Sequence, residues 1–150
     1  MTIVKHFLHV PVSGEQNMQC VCVSVASILG KKKEEVESMS AKECLKTYRE
    51  AFREYSEDKG SIEGNRVVLS QAIKTAEGAV ESLELKEPSM KNVMDFPMEK
   101  ATFGDFLVVC SEVTGIQVGF LKKMSLCDAR NVIVVLVRFL FDGLLTGERP

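Results

Sequence analysis

Two histidines and two nearby cysteines are the side chains best suited to metal chemistry. His6 and His9 are the only histidines of the 150-residue chain, and Cys20 and Cys22 lie in the next apolar run. The four residues are all possible zinc ligands, but they lack the ligand spacing of structural zinc sites, and a C-x-C inside an apolar run makes a poor zinc knuckle. The sequence therefore predicts no metal site, and the histidines are interpreted as residues of a partly exposed strand edge.

Thiol catalysis has equally little support. A cysteine nucleophile needs a base within reach and a lowered pKa, and the two histidines are the only imidazole bases available. The glycine-containing residues 60–64 lack the lysine and the strand-to-helix context of a phosphate-binding loop. We therefore expect no catalytic residue, no cofactor and no enzymatic activity, and keep a small thiol-dependent enzyme as an alternative.

The five cysteines indicate a reducing compartment. Their number is odd, their spacing is irregular, and each lies among apolar or helix-forming residues. That pattern is typical of reduced thiols packed as small hydrophobic groups, which persist inside cells. They are Cys20, Cys22, Cys44, Cys110 and Cys127.

Charge and hydropathy exclude two classes of partner. The net charge is −2, and the run Lys31 to Lys33 is followed at once by Glu34 and Glu35, so no basic face for nucleic acid is expected. The most apolar run, Val132 to Phe141, is shorter than the roughly 20 residues of a membrane span. The N-terminus also lacks the apolar core of a signal peptide. These features predict a cytoplasmic protein that contacts neither nucleic acid nor membrane.

In the first half, the patterns predict one strand and one clear helix. Ile3 to Val12 is rich in β-branched and aromatic residues and is predicted as a strand. Met18 to Leu29 is ambiguous between strand and helix, and we favour helix for its second half. Ser40 to Glu57 has apolar residues at helical spacing, with Ser40 and Glu43 forming a predicted capping box.

In the second half, a linker is followed by a hairpin and a short helix. Residues 59–65 carry two glycines and no periodicity, which favours a linker. Arg66 to Ile73 and Ala79 to Leu85 are predicted to pair as a hairpin. Ser89 is predicted to cap a short helix that extends through Asp95.

Two further helices are predicted from their start and stop signals. Thr102 and Asp105 form a capping box for a helix that runs to Thr114. The last helix, Ser125 to Phe141, has a similar box from Ser125 and Asp128. Its β-branched content would also permit a strand, but the box and the length favour helix.

The chain contains an internal similarity at a separation of 85 residues. This shift aligns residues 25–43 with residues 110–128, without a gap, so that Gly30 falls on Gly115 and Ser40 on Ser125. Chance remains an alternative, since helices often end at glycine and begin at serine. The similarity predicts an α+β, mainly helical fold of two related units, each a strand or hairpin followed by a helix pair. The units are residues 1–58 and 66–150, joined by 59–65.

The last helix is the predicted contact surface. Val132 to Phe141 is apolar nearly all round, which a helix tolerates only when it is covered on most sides. A protein partner, a second copy of the chain, or the rest of the fold would each provide that cover. The predicted partner-binding residues are Phe106, Val109, Val113, Leu121, Val132, Val135, Leu136, Phe139 and Leu140.

Four methionines allow a second interpretation. Methionine is flexible and polarisable, and it is frequent both in adaptable binding surfaces and in cores. For Met90, Met94, Met98 and Met124 the sequence favours a place in the core, with an adaptable binding surface as the alternative.

The C-terminal half resembles the phage tail assembly chaperones of contractile tails. Residues 83–96 (LELKEPSMKNVMDF) resemble a strand that ends in proline and leads into a short helix. Phe106 to Gly115, then Leu121, Met124-Ser125 and the apolar helix through Phe139, are similar to the rest of the pattern. The longer N-terminal half and the missing second proline-led strand depart from it.

The resemblance implies a non-enzymatic protein of the infected bacterial cytoplasm. Such a protein would bind the tape measure protein or another tail protein, keep its apolar helices soluble, and help the tail tube to assemble. It would bind amphipathic segments in a groove and can form a homo-oligomer. A permanent structural component of a virion tail or baseplate is the alternative.

Overall fold

The computed structural model describes residues 2–13, 16–53 and 60–141. Over these residues the fold is α+β and mainly helical, as predicted, with seven α-helices and one three-stranded antiparallel sheet. The helices are α1 (Met18–Leu29), α2 (Lys33–Glu37), α3 (Ala41–Arg53), α4 (Met90–Val93), α5 (Phe103–Thr114), α6 (Val118–Leu121) and α7 (Leu126–Phe141). The strands are β1 (Ser61–Glu63), β2 (Arg66–Thr75) and β3 (Gly78–Glu84).

The predicted N-terminal strand is wrong. Residues 3–12 contain a 3₁₀-helix, Val4–His6, and make only isolated bridges, from Ile3 to Ser125 and from Pro11 to Thr102. The fully buried side chains in this segment recur every third residue, at positions 4, 7 and 10. A repeat of three matches the 3₁₀ geometry, whereas a half-buried strand needs a repeat of two.

The ambiguous segment Met18–Leu29 is helical throughout. The Asn17 side chain caps α1 by accepting a hydrogen bond from the Cys20 backbone N–H at 3.0 Å. Gly30 ends the helix in the left-handed region, with φ of 65°. The predicted helix from residue 40 is α3, and the part of that prediction beyond Arg53 lies outside the described residues.

The predicted hairpin is confirmed, with a tighter turn at residues 76–77. The segment proposed as a linker contains β1, which pairs with β2 so that Ser61 faces Val68. A two-residue Gly64-Asn65 turn connects the two strands, and Gly64 has φ of 64°. A glycine–asparagine pair between two strands is a known hairpin signal. The division of the chain into units on either side of this segment stays a prediction.

The predicted helix starts in the second half are confirmed. Thr102 and Asp105 form a reciprocal box, with the Thr102 N–H donating to the Asp105 carboxylate at 2.9 Å and the Asp105 N–H donating to Thr102 Oγ1 at 3.2 Å. At α7, the Asp128 N–H donates to Ser125 Oγ at 3.1 Å. The Asp128 carboxylate also accepts hydrogen bonds from Ser70 on β2. Asp128 therefore joins the helix to the sheet.

The helices follow the internal similarity closely. A shift of 85 residues aligns Met18–Leu29 with Phe103–Thr114. The same shift aligns the first residue of α2 with that of α6, and the first residue of α3 with that of α7. Gly30 and Gly115 end equivalent helices with φ of 65° and 78°. We call α1–α3 the first helical unit and α5–α7 the second helical unit. Among the described residues only the second has strands before its helices, because the N-terminal segment is not a strand.

The core is centred on α7. Val132, Val135 and Leu136 have no exposed surface, and the helix contacts α5, β1 and β2. Phe7, Val10 and other side chains of the N-terminal segment belong to the same buried cluster. Within the part of the chain that the structure describes, no helix combines the length and the hydropathy that crossing a membrane requires.

Candidate protein-binding surfaces

Six of the nine predicted partner-binding residues lie in the interior, which corrects their assignment to the surface. The sheet and α5 cover α7, so this helix occupies the position of a core helix wrapped by other elements. Val113, Phe139 and Leu140 keep partial exposure. The six buried side chains are Phe106, Val109, Leu121, Val132, Val135 and Leu136. A partner would reach them only if the fold opened.

Three of the four methionines have exposed side chains instead. Met90, Met94 and Met98 are 74%, 70% and 76% exposed, whereas Met124 is 1% exposed and belongs to the core. We call the first three the methionine face. Exposure of this size leaves the thioether side chains free to adapt to an apolar partner.

The backbone beneath the methionine face is firmly attached to α5. Phe96 packs edge-on against Phe106 with ring centroids 5.0 Å apart, and Val93 packs against the core. Asn92 adds a hydrogen bond from Nδ2 to Glu112 Oε2 at 3.2 Å. The face therefore presents adaptable side chains on a fixed platform, an arrangement that suits protein binding.

The N-terminal segment joins the two helical units. His6 Nδ1 lies 2.6 Å from Ser27 Oγ, and His9 Nε2 lies 3.3 Å from Ser24 Oγ, so both imidazoles bond to α1. On the opposite side, the Gly104 N–H of α5 donates to the Leu8 carbonyl at 2.7 Å. The two histidines thus have a structural role in this arrangement. Among the residues that the structure covers, no cluster of three or more metal-binding side chains occurs.

Acidification is expected to weaken this attachment through His6. Partial burial, with a smaller contribution from Lys5, lowers the pKa of His6 below its usual value, which is about 6.5. At a pH between the folded-state and the unfolded-state pKa of His6, the unfolded state binds more protons than the folded state. The stability that His6 contributes is therefore complete above a pH of about 6.5, and it is lost as the pH falls through the folded-state pKa. The free energy of unfolding can be measured with urea at a pH of about 7.5 and of about 5.5. Its decrease on acidification should be smaller for His6→Gln than for the wild type. Equal losses in the two proteins would contradict this role.

The Cys110 thiol is poorly suited to act as a nucleophile. Burial raises the pKa of Cys110 to about 12, which opposes formation of the thiolate needed for catalysis. The cysteines are in the reduced form, without disulfides, and Cys44 is buried as well. The described contacts of the histidine side chains lead to serines and not to cysteines.

No family model, no curated protein and no solved structure matches this chain.

Proposed function

We propose that this protein is a non-enzymatic, tail assembly chaperone-like factor that binds the tape measure protein and helps the tail tube to assemble. The observation that carries the proposal is the methionine face. It lies within and just after residues 83–96, the segment that resembles the opening of the tail chaperone pattern.

The methionine face suits the expected partner. A tape measure protein presents long amphipathic helices, and such helices bind where an apolar surface is exposed. Methionine side chains adapt to differing apolar partners at little cost, which is useful when successive stretches of one long chain must be covered. In this proposal the protein acts in the bacterial cytoplasm, and self-association would extend the covered length.

The proposal predicts that the methionines are needed for partner capture. The triple variant Met90→Ser, Met94→Ser, Met98→Ser is expected to reduce copurification with the co-expressed tape measure protein by at least about tenfold. Its stability should stay close to that of the wild type, because substitutions at exposed positions usually change it by within about 0.5 kcal/mol.

A matched control is available on the first helical unit, where three exposed residues of another chemistry can be replaced by serine: Lys31, Lys32 and Glu35. This control should retain the partner. If the wild type does not copurify with the tape measure protein, the proposal is wrong. If the triple variant still copurifies with it, the binding surface is not the methionine face. Detection of the protein in purified particles by mass spectrometry would favour the permanent virion component instead.

A further inference from the structure

Strand β3 is an edge strand of the sheet. The strand order is β1-β2-β3, and β3 pairs with β2 on one side. Gly78, Ala79, Glu81 and Glu84 are exposed, whereas Leu83 is 1% exposed and packs in the core. Leu83 therefore holds the strand against the core, while most of the length of β3 stays accessible.

The register of the hairpin identifies the main-chain groups on the free side of β3. The Leu85 N–H donates to the Asn65 carbonyl at 2.9 Å, and the two strands stay in register from there to Ser82. In an antiparallel pair, residues that bond to the partner strand alternate with residues whose N–H and C=O groups turn away from it. Ser82 and Glu84 therefore direct these groups away from β2. Within the described parts of the chain, no other backbone group bonds to them there.

These unpaired main-chain groups are a template for one more strand. An extended segment can pair with an open sheet edge, where main-chain hydrogen bonds supply affinity and side chains supply specificity. A helix bonds its own N–H and C=O groups internally, so it would leave those of Ser82 and Glu84 unpaired. The free side of β3 therefore suits an extended segment.

The charges along β3 favour a basic segment over a second copy of the strand. The strand contains Glu81 and Glu84 and no lysine or arginine, and Glu77 precedes it in the turn. Arg66 on β2 lies opposite Glu84 and compensates part of this negative charge. A second copy of β3 would bring further carboxylates to the same edge, and like charges on paired strands are destabilising. Lysine and arginine side chains would instead meet charges of opposite sign.

A cavity of about 360 Å³ lies beside the start of β3. The first three residues of β3 border it on one side, and Phe120 and the connection between α5 and α6 border it on the other. Among the described residues that line it, Glu77 is the one charged side chain. The Phe120 ring already has a cation near it, since Lys123 Nζ lies 5.5 Å from the ring centroid. Because a carboxylate and an aromatic ring both attract cations, the cavity suits the charged end of a lysine or arginine side chain.

We propose that the free edge of β3 binds a short, extended, basic segment of another protein, which adds a fourth strand to the sheet. Main-chain hydrogen bonds join the segment to Ser82 and Glu84. One basic side chain enters the cavity beside Glu77, and another lies near Glu81. This inference does not depend on the tail chaperone proposal, since it rests on β3 and not on the methionine face.

A peptide in which threonine alternates with basic residues tests the proposal. The probe is the fluorescent peptide Lys-Thr-Arg-Thr-Lys-Thr-Arg, which matches the 7 residues of β3 in length and contains threonine because it favours strands. Titration with the full-length protein, followed by fluorescence polarisation, is expected to show saturable binding. Ser82→Pro should weaken binding by at least about tenfold, because proline removes the N–H that the added strand would bond, while the ladder to β2 does not use it.

Two comparisons separate strand pairing from general attraction between charges. The same peptide with N-methyl groups on its threonines keeps its charge but loses main-chain donors, and it should bind much more weakly. Glu81→Lys should weaken binding several-fold. Its matched control is Glu50→Lys, which makes the same charge change at an exposed position of α3 and should bind the peptide as the wild type does. Thermal unfolding of each variant verifies that it is folded.

Three results would overturn the proposal. One is the absence of saturable binding to the wild type. Another is undiminished binding of the N-methylated peptide, or of the probe to folded Ser82→Pro or Glu81→Lys, because the peptide would then not pair with β3. The third is a wild-type dimer in analytical ultracentrifugation that Ser82→Pro dissociates, because a second copy would then occupy the edge. Since no tape measure protein takes part in this assay, its failure is distinct from failure of the tail chaperone proposal.

Discussion

Replacement of Phe7 by alanine is expected to lower the free energy of unfolding by about 4 kcal/mol, the range typical of a fully buried phenylalanine. The ring has no exposed surface and packs against Phe52 with centroids 4.8 Å apart and against Tyr48 at 5.7 Å. Because these rings belong to α3 while the surrounding segment bonds to α5 and to the start of α7, the cavity would open where the two helical units meet. Chemical denaturation followed by circular dichroism measures the loss.

Phe120 provides the comparison for this variant. It has the same side chain but is only partly buried, on α6. Phe120→Ala should therefore lower the free energy of unfolding clearly less than Phe7→Ala does. If the two substitutions cost the same, Phe7 is not the central contact between the N-terminal segment and α3. Hydrogen exchange would add a local measure, since the Val4 and Val12 amides are bonded across to Met124 and Ala101 and should lose protection in Phe7→Ala.

The helices could be predicted from the sequence because their ends are marked by local signals. Thr102 with Asp105, Ser89 before α4, and glycines in the left-handed region at positions 30 and 115 act within a few residues of themselves. Such signals can be identified in the local sequence without information about the rest of the fold. The similarity between the two halves added the correspondence of α1 with α5.

The N-terminal segment could not be predicted in this way. Its β-branched and aromatic content favours a strand when it is considered alone, but its shape is set by partners far along the chain, Ser27 on one side and Met124 on the other. Tertiary contacts of this kind override local preference. The two-residue turn at Gly64-Asn65 was a signal present in the sequence, and the apolar character of the residues around it was too weak for β1 to be recognised.

The exposure of the apolar residues was the hardest feature to predict. Both a core helix and a contact helix are apolar, so composition could not distinguish whether α7 faces a partner or the rest of the chain, and the structure places Val132 and Leu136 inside. The same limit applies to methionine, because Met94 and Met124 differ only in what packs over them. The exposure of a residue depends on which other elements pack over it, so it cannot be predicted from a short stretch of sequence.

The junction between α7 and the sheet leads to the second large effect. Asp128→Ala is expected to lower the free energy of unfolding by about 3 kcal/mol, because it would leave partly buried hydrogen-bond donors without a charged acceptor. The Asp128 carboxylate has no exposed surface and accepts the Ser70 N–H at 3.0 Å and the Ser70 hydroxyl at 2.9 Å. Gly60 borders the same carboxylate so closely that an added methyl group would collide with it.

The internal similarity supplies the control for Asp128. Glu43 is the equivalent residue of the first helical unit, and its side chain is exposed, whereas the Asp128 side chain lies against a strand. Glu43→Ala should therefore change stability by no more than about 0.5 kcal/mol, as measured by the same denaturation experiment. Equal costs at the two positions would show that Asp128 acts only as a helix-start residue. Unequal costs would show that the carboxylate at this position is a structural junction only in the unit that packs against the sheet, while the first unit keeps that helix face open to solvent.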